Sequence, residues 1–268
     1  MSTHVIRAAW LFALFFANCI ALAADLQAVA VDQAKPGVVV VTVRSPDDHP
    51  AANAFHLHLT SNGVDTNVAA TDVIPGALSP DLATLVIICV DRSGSMRDAV
   101  EGIKRALGAV LATPRPDLRN GIMSFATEIT PLSPYTANAP DVLRVVDTLR
   151  MERGRYGKTK LFDAIAAAID LLQKDPARGP KRLIVISDGK DEGSSMPQAK
   201  LVTIVQDHAP LLDAIGFGPL APEWSGTLAS LANMTGGKFV LAGNAAALSD
   251  TLKDQLGTSE PAALKVKF

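Results

Sequence analysis

The sequence predicts an α/β fold: a doubly wound, mostly parallel sheet flanked by helices, preceded by a small N-terminal β-rich region. Three observations predict it. After Ser79-Pro80, apolar runs of strand length alternate with helical stretches, the pattern of parallel strands joined by covering helices. Residues 25–80 instead carry short β-branched or alternating runs separated by turn residues. Hydrophobic residues make up 48% of the 268-residue chain and charged residues 19%, enough apolar side chain for one α/β core and an accessory unit.

The first element, residues 1–24, reads as a signal peptide. His4 and Arg7 precede the apolar run Ala8-Ala9-Trp10-Leu11-Phe12-Ala13-Leu14-Phe15-Phe16-Ala17, which continues to Leu22 with Asn18 as its one interruption. Ala21-Leu22-Ala23 places small residues where a signal peptidase needs them, and polar Asp25 and Gln27 follow. The alternative is an uncleaved membrane anchor, since the run reaches the lower limit of a span. The Ala-x-Ala site and the lack of a basic cluster after the run favour cleavage, and with it a periplasmic or secreted protein. Asn18 before Cys19 argues against lipid attachment, which wants a small residue there.

Residues 25–80 form the β-rich region. Val38-Val39-Val40-Val41-Thr42-Val43 and Phe55-His56-Leu57-His58-Leu59 read as strands, and Asn62-Gly63 marks a hairpin. Five or so short strands suggest a small sandwich-like unit or a β extension of the main domain. His56 and His58 share one side of an alternating strand, but no further clustered ligand accompanies them, so they read as its polar face.

The main domain spans residues 81–256. Its strands are expected at Thr84–Val90, Asn120–Phe125, Arg182–Ser187, Leu211–Phe217 and Lys238–Leu241. Helices are expected at Asp98–Leu111, Asp141–Arg150, Leu161–Gln173, Pro197–Asp207, Trp224–Met234 and Ala245–Leu256. Apolar residues at steps of three and four, as in Leu161, Ile165, Ile169 and Leu172, carry these assignments. Pro114-Arg115-Pro116 and Gly236-Gly237 punctuate them. The tail, residues 257–268, holds Ala262-Ala263-Leu264-Lys265-Val266-Lys267-Phe268; of an edge strand, a docking segment or a frayed end, it reads as the last.

The formal net charge of −2 offers no long-range attraction to phosphate backbones, which argues against nucleic acid as a partner. No Gly-rich phosphate loop with Lys and Ser or Thr appears, so nucleotide binding has no support either. Membrane contact follows only if the N-terminal segment is uncleaved. Only Cys89 survives cleavage, so the mature chain has no internal disulfide, and its setting in Leu85-Val86-Ile87-Ile88-Cys89-Val90 marks it as a small buried hydrophobe.

In an open parallel sheet, ligands collect at the carboxyl ends of the strands. Three loops there are informative. Asp91-Arg92-Ser93-Gly94-Ser95-Met96 follows a fully apolar strand, Thr159 precedes the helix starting at Leu161, and Ser187-Asp188-Gly189 follows Leu183-Ile184-Val185-Ile186. Asp91, Ser93 and Ser95 present oxygens at alternate positions of one loop, with Gly94 letting the backbone turn. Asp188 adds a second negative charge and Thr159 a further hydroxyl. A hard cation such as Mg²⁺ takes an oxygen set of this kind and keeps some of its waters. Two carboxylates leave the filled site formally neutral and the ion electrophilic, which suits capture of a carboxylate from another molecule.

These residues resemble the von Willebrand factor A family, whose metal-ion-dependent adhesion site is Asp-x-Ser-x-Ser plus a distant Thr and a distant Asp. All five positions are filled in the family's order, by Asp91, Ser93, Ser95, Thr159 and Asp188. Thr159-Lys160-Leu161-Phe162-Asp163-Ala164-Ile165 resembles the family's Thr-x-Leu-x-x-Ala-Leu helix start. Ala214-Ile215-Gly216-Phe217-Gly218 resembles its later strand end, and Leu228–Gly237 its last-but-one helix. The likeness runs from about Asp81 to Leu256. It implies a non-catalytic domain that holds Mg²⁺, Mn²⁺ or Ca²⁺ and binds a protein or peptide donating an Asp or Glu side chain. In that reading Asp91, Ser93 and Ser95 are direct or near-direct ligands, and Thr159 and Asp188 bind directly or through water. One position departs: Lys158 stands before Thr159 where many relatives have Gly, and its ammonium either weakens metal binding or draws in an acidic ligand.

Three rival readings make different use of the same loops. In a Mg²⁺-dependent hydrolase or phosphatase-like enzyme, Asp91 is the nucleophile; against this, Ser93 stands where phosphoaspartate enzymes carry a second Asp, and no His lies in the three loops to act as base. As a partner subunit of an ATP-driven remodelling complex the chain would be cytoplasmic, which the export signal opposes. In a purely structural reading, Asp91 and Asp188 are helix N-caps and the serines form turns.

Overall fold

The computed structural model describes residues 4–9, 20–21, 27–35, 38–45, 55–61, 64–76, 83–113, 115, 117–131, 139–150, 158–177, 179–208, 210–217, 222–256 and 262–267. In chain order the elements are β1 (His4–Ala9), β2 (Ile20–Ala21), β3 (Gln27–Lys35), β4 (Val38–Ser45), β5 (Phe55–Ser61), β6 (Val64–Ala69) and β7 (Asp72–Gly76). There follow β8 (Thr84–Asp91), a 3-10 turn at Gly94–Met96, α1 (Val100–Leu111), β9 (Leu118–Phe125), β10 (Ile129–Pro131), α2 (Ala139–Thr148), α3 (Leu161–Lys174) and β11 (Lys181–Ser187). The chain closes with α4 (Gln198–His208), β12 (Leu211–Gly216), α5 (Pro222–Met234), β13 (Phe239–Leu241), α6 (Ala245–Leu256) and β14 (Ala262–Lys267). It divides into two units, residues 83–259 and, apart from them, residues 1–82 with 260–268.

The larger unit is the mostly parallel sheet with helices on both faces that the alternating pattern predicts. Strand order is β10-β9-β8-β11-β12-β13. Every pairing is parallel except that of the hairpin strand β10 with β9. Strand β8 shows why both faces must be covered. Successive side chains point to opposite faces, and Val86, Ile88 and Val90 enter one core with Ile103 and Leu107 of α1 and Leu248 and Leu252 of α6. Leu85, Ile87 and Cys89 enter the other with Ile165 and Ile169 of α3 and Leu228 of α5. Burial pushes the Cys89 thiol well above its usual range, in keeping with an inert core residue.

Element bounds differ from expectation where loops do other work. Helix α1 begins at Val100 and not Asp98, because residues 94–96 are taken by the 3-10 turn. Strand β9 begins at Leu118, paired with Thr84 at the start of β8. The hairpin strand Ile129–Pro131 was not expected; three residues are too few to show a period.

The smaller unit holds two four-stranded sheets, ordered β2-β1-β5-β6 and β3-β4-β14-β7. Ser61 of β5 lies opposite Val64 of β6 in an antiparallel pair, and the Asn62-Gly63 turn residues between them lie outside the described residues. For β5, which carries His56 and His58, backbone alone is described. Of the segment read as a signal peptide, His4–Ala9 pairs in parallel with β5, and Ile20-Ala21 pairs with Ile6 and Arg7. Trp10 to Cys19, and the rest of the Ala-x-Ala site, lie outside the described residues. The C-terminal tail is not a frayed end. Residues 262–267 form an antiparallel strand between β4 and β7, hydrogen-bonded on both edges. Its partners lie about two hundred residues earlier in the chain, so no local signal names them.

Candidate metal centre

The chain leaves β8 through α1 on one face of the sheet, crosses to β9, and later returns to place β11 on the other side of β8. From β11 it leaves through α4, whose Leu201 and Val205 pack on the opposite face. The carboxyl ends of β8 and β11 are therefore neighbours whose outgoing connections diverge, which opens a crevice there. Asp91 is the last residue of β8 and Asp188 the first after β11. The register that sets Ile186 beside Val90 carries Ser187 to the side of Asp91.

Asp91 is fully buried, and each of its oxygens is held. The Ser93 backbone N–H donates to Oδ1 at 2.9 Å, and the Ser187 hydroxyl donates to Oδ2 at 2.6 Å. The Gly189 N–H in turn donates to Ser187 Oγ at 2.9 Å, so Ser187 ties the second carboxylate loop to the first carboxylate. Burial pushes Asp91 up to about 6; the bonds from Ser187 and Ser93 pull it down, and the nearby charge of Asp188 adds to the rise. Ser93 is buried, and its Oγ is hydrogen-bonded to that of exposed Ser95 at 3.2 Å.

Asp188 is also fully buried, with Oδ1 accepting the Lys190 N–H at 3.0 Å. Its Oδ2 is buried and has no hydrogen-bond partner. A carboxylate oxygen shut away from water without a donor costs roughly 1–3 kcal/mol or more unless a cation answers it. Thr159, 1% exposed, stands just before α3, and its carbonyl accepts the N–H groups of Glu192 and Gly193 at 2.9 and 3.0 Å. Loop Asp188–Met196 and the start of α3 are thus joined, which brings the third predicted loop against the second.

Neither Asp91 nor Asp188 caps a helix. The residues at the N-caps of the 3-10 turn, α1 and α3 are Ser93, Ala99 and Lys160, and none makes a side-chain cap bond. Each aspartate instead spends one oxygen on the N–H two residues on. The backbone does turn at Gly94, the first residue of the 3-10 turn Gly94–Met96, but without a positive φ; in these loops positive φ occurs at Gly189 (83°). A Cβ on Gly189 would stand 2.8 Å from the Trp224 carbonyl oxygen, so the Asp188 loop passes α5 too closely for any side chain. Lys190 of this loop lies over the Trp224 ring, 5.1 Å from its centroid, and pairs with Glu192 at 2.5 Å. Lys158 is exposed, and its Cβ is where one on Gly193 would collide, at 2.6 Å.

Among the described residues no group of three or more His, Cys, Asp or Glu side chains gathers into a metal-binding cluster. A cation between Asp91 and Asp188 therefore depends on two carboxylates, hydroxyls and water. That all-oxygen set fits a hard divalent ion and does not fit a closed zinc site. The orphaned Asp188 Oδ2 is the feature of this structure that a bound cation would answer.

Sequence reasoning named Ser187 and Asp163 only as members of the third loop and of the α3 start, with no role of their own, and did not name Asp191. The Asp163 carboxylate accepts the N–H groups of Ser195 and Met196, both at 2.9 Å. Burial raises its pKa, but these bonds, with the Ser195 hydroxyl and the nearby Lys160 charge, together outweigh it and hold the carboxyl below its usual range. Asp191 Oδ1 accepts the Phe162 N–H and the Ser194 hydroxyl.

The model of the von Willebrand factor type A domain matches residues 86–190, a stretch that contains all five candidate positions. No curated protein matches the chain in sequence. Among solved structures, the conserved hypothetical protein BatB from Bacteroides thetaiotaomicron superposes with a TM-score of 0.53 at 16% identity, covering 65% of this chain and 97% of that one. The pilus adhesin SpaC from Lactobacillus rhamnosus GG gives 0.54 at 13% identity, covering 86% and 33%. Proximal thread matrix protein 1 from the mussel byssus, with a zinc-occupied MIDAS motif, gives 0.53 at 15% identity, covering 73% and 50%. At these identities the likeness is one of fold. Among the described residues no helix is long and apolar enough to cross a membrane.

Proposed function

We propose that this chain is an exported von Willebrand factor A-type protein that binds a partner protein through a divalent cation, the partner supplying an Asp or Glu carboxylate. The observation that carries the reading is the pair of buried aspartates at the switch point, one of them with an oxygen that no donor reaches. Asp91, Ser93, Ser95, Thr159 and Asp188 are the residues assigned to the ion. A bound Mg²⁺ or Mn²⁺ would supply an electrophilic position for the partner's oxygen. The chain's part is to hold two buried charges and several hydroxyls at the strand ends, so that the ion stays short of negative ligands. The family model supports the domain type, and solved neighbours that include a pilus adhesin are in keeping with an interaction module on an exported protein.

The arrangement favours binding over turnover. Asp91 has both oxygens committed to Ser93 and Ser187, which restrains it as a nucleophile. No histidine lies in the three loops to serve as a base.

The test is calorimetric titration of Mg²⁺ and of Mn²⁺ into chelator-stripped full chain, beside Asp91→Ala and Asp188→Ala. One-site binding that both variants lose is expected, followed by a metal-dependent pull-down whose captured partner loses binding when its acidic residue is changed to the amide. Folded wild type that takes up neither ion, alone or with a carboxylate such as acetate present, would overturn the reading.

A further inference from the structure

Thr159 and Asp188 lie on different loops, 29 positions apart in sequence, yet a metal site needs them at one spacing. The structure holds them by a reciprocal latch. The first N–H groups of a helix lack partners within it, and α3 makes no cap bond from the residue before it. Its Phe162 N–H instead donates to Asp191 at 3.2 Å, and its Asp163 N–H to Ser194 Oγ at 3.0 Å, both from the Asp188 loop. Ser194 passes its own hydrogen to Asp191 at 2.6 Å.

The reverse half starts from Asp163, whose carboxylate takes the Ser195 and Met196 N–H groups, just before α4. Between the two halves, the Thr159 carbonyl takes the Glu192 and Gly193 N–H groups. Asp163 and Asp191 also place their charge at the positive end of α3, where it is favourable. No atom of this latch is one of the five assigned to the ion, apart from the backbone of Thr159.

The geometry points to Asp163 and Asp191 as positioning residues for the metal site: they weld the Thr159 and Asp188 loops into one body, so the spacing of these two ligands exists before a cation arrives. This rests on the metal-binding reading above. A role in stability alone is the competing account, and so is simple attraction of a cation by two more negative charges.

The test titrates Mn²⁺ into the stripped full chain of the wild type, Asp191→Ala, Asp191→Asn, Asp163→Ala and Ser194→Ala. Ile169→Val serves as a control that trims the buried face of the same helix and leaves the latch whole. The alanine variants at the aspartates should weaken Mn²⁺ affinity about tenfold or more, the usual cost of losing a group that orients a ligand. Asp191→Asn keeps the acceptor while losing the charge, and should bind as the wild type does. Ser194→Ala, the mildest change, should show a smaller loss in the same direction even if the aspartate variants fold poorly.

Wild-type affinity in Ser194→Ala and in either folded aspartate-to-alanine variant would overturn the inference. So would an Asp191→Asn as weak as Asp191→Ala, which would assign the effect to charge. An Ile169→Val as weak as the latch variants would assign it to stability. Absence of binding by the wild type is distinct from these, since it removes the metal reading itself.

Discussion

The Ser187 hydroxyl donates a 2.6 Å hydrogen bond to Asp91 Oδ2 while accepting one of 2.9 Å from the Gly189 N–H. It therefore joins the ends of β8 and β11 at a position with no exposure to water. Ser187→Ala leaves a buried carboxylate oxygen and a buried N–H unanswered. It should cost about 1–3 kcal/mol in urea denaturation and weaken metal affinity about tenfold by calorimetry. Wild-type values for both would show that Asp91 is held by its other contacts.

Asp91 titrates near 6 in the folded chain against an ordinary 3.8. Between these values the metal-free fold binds the proton more tightly than the unfolded chain does. The contribution of the protonated group is thus fully present below 3.8 and is lost as pH rises through 6. A cation needs the carboxylate, so Mn²⁺ affinity should fall as pH drops below about 6, with proton release on binding. Calorimetry at pH 5.5 and 7.5 in buffers of different ionisation enthalpy reads both effects. Asp91→Asn, which removes the buried charge, should stabilise the metal-free protein at neutral pH by on the order of 1–2 kcal/mol while abolishing metal binding. A pH-independent affinity would contradict this account of Asp91.

Two glycines in the aspartate loops should respond differently. Gly189→Ala must put a Cβ against the Trp224 carbonyl at a φ of 83°, so it should destabilise the fold by about 1–3 kcal/mol and disturb Asp188. A Cβ on Gly94 meets nothing within 4 Å, and Gly94→Ala should leave the melting temperature within about a degree or two of wild type. Equal effects in thermal melts would mean that the loop backbone is freer than the geometry indicates.

Because β14 is bonded to β4 and β7 on its two edges, removing residues 262–268 deprives both strands of a partner. The truncated chain should lose strand signal in circular dichroism and become open to proteolysis within residues 27–76. Mn²⁺ binding in the unit of residues 83–259 should persist. Unchanged protease resistance would show that β4 and β7 do not depend on this strand.

Much of the larger unit was legible because its signals are local. Strand β8 is apolar on both faces, α3 repeats Leu161, Ile165, Ile169 and Leu172 on one side, and each follows from a period that a short window contains. The candidate loops were legible for a related reason: Asp91, Ser93 and Ser95 sit in one stretch, and strand ends are where open sheets bind. The alternation of Leu264 and Val266 with Lys265 and Lys267 was also a local signal, and read as a strand it would have corrected the tail.

By itself, then, the sequence determined the helices and the five parallel strands of the larger unit, that its sheet is covered on both faces, and which of the assigned oxygen-bearing residues stand at its carboxyl end. Only the tertiary structure decided that β11 lies beside β8, that Ser187 thereby reaches Asp91, and that Asp163 and Asp191 latch two loops together. It alone placed β14 between β4 and β7. The division has a physical cause. Secondary structure follows from periodicity within one segment, whereas a hydrogen bond between Ser187 and Asp91, 96 positions apart, depends on a register that exists only once both strands are packed.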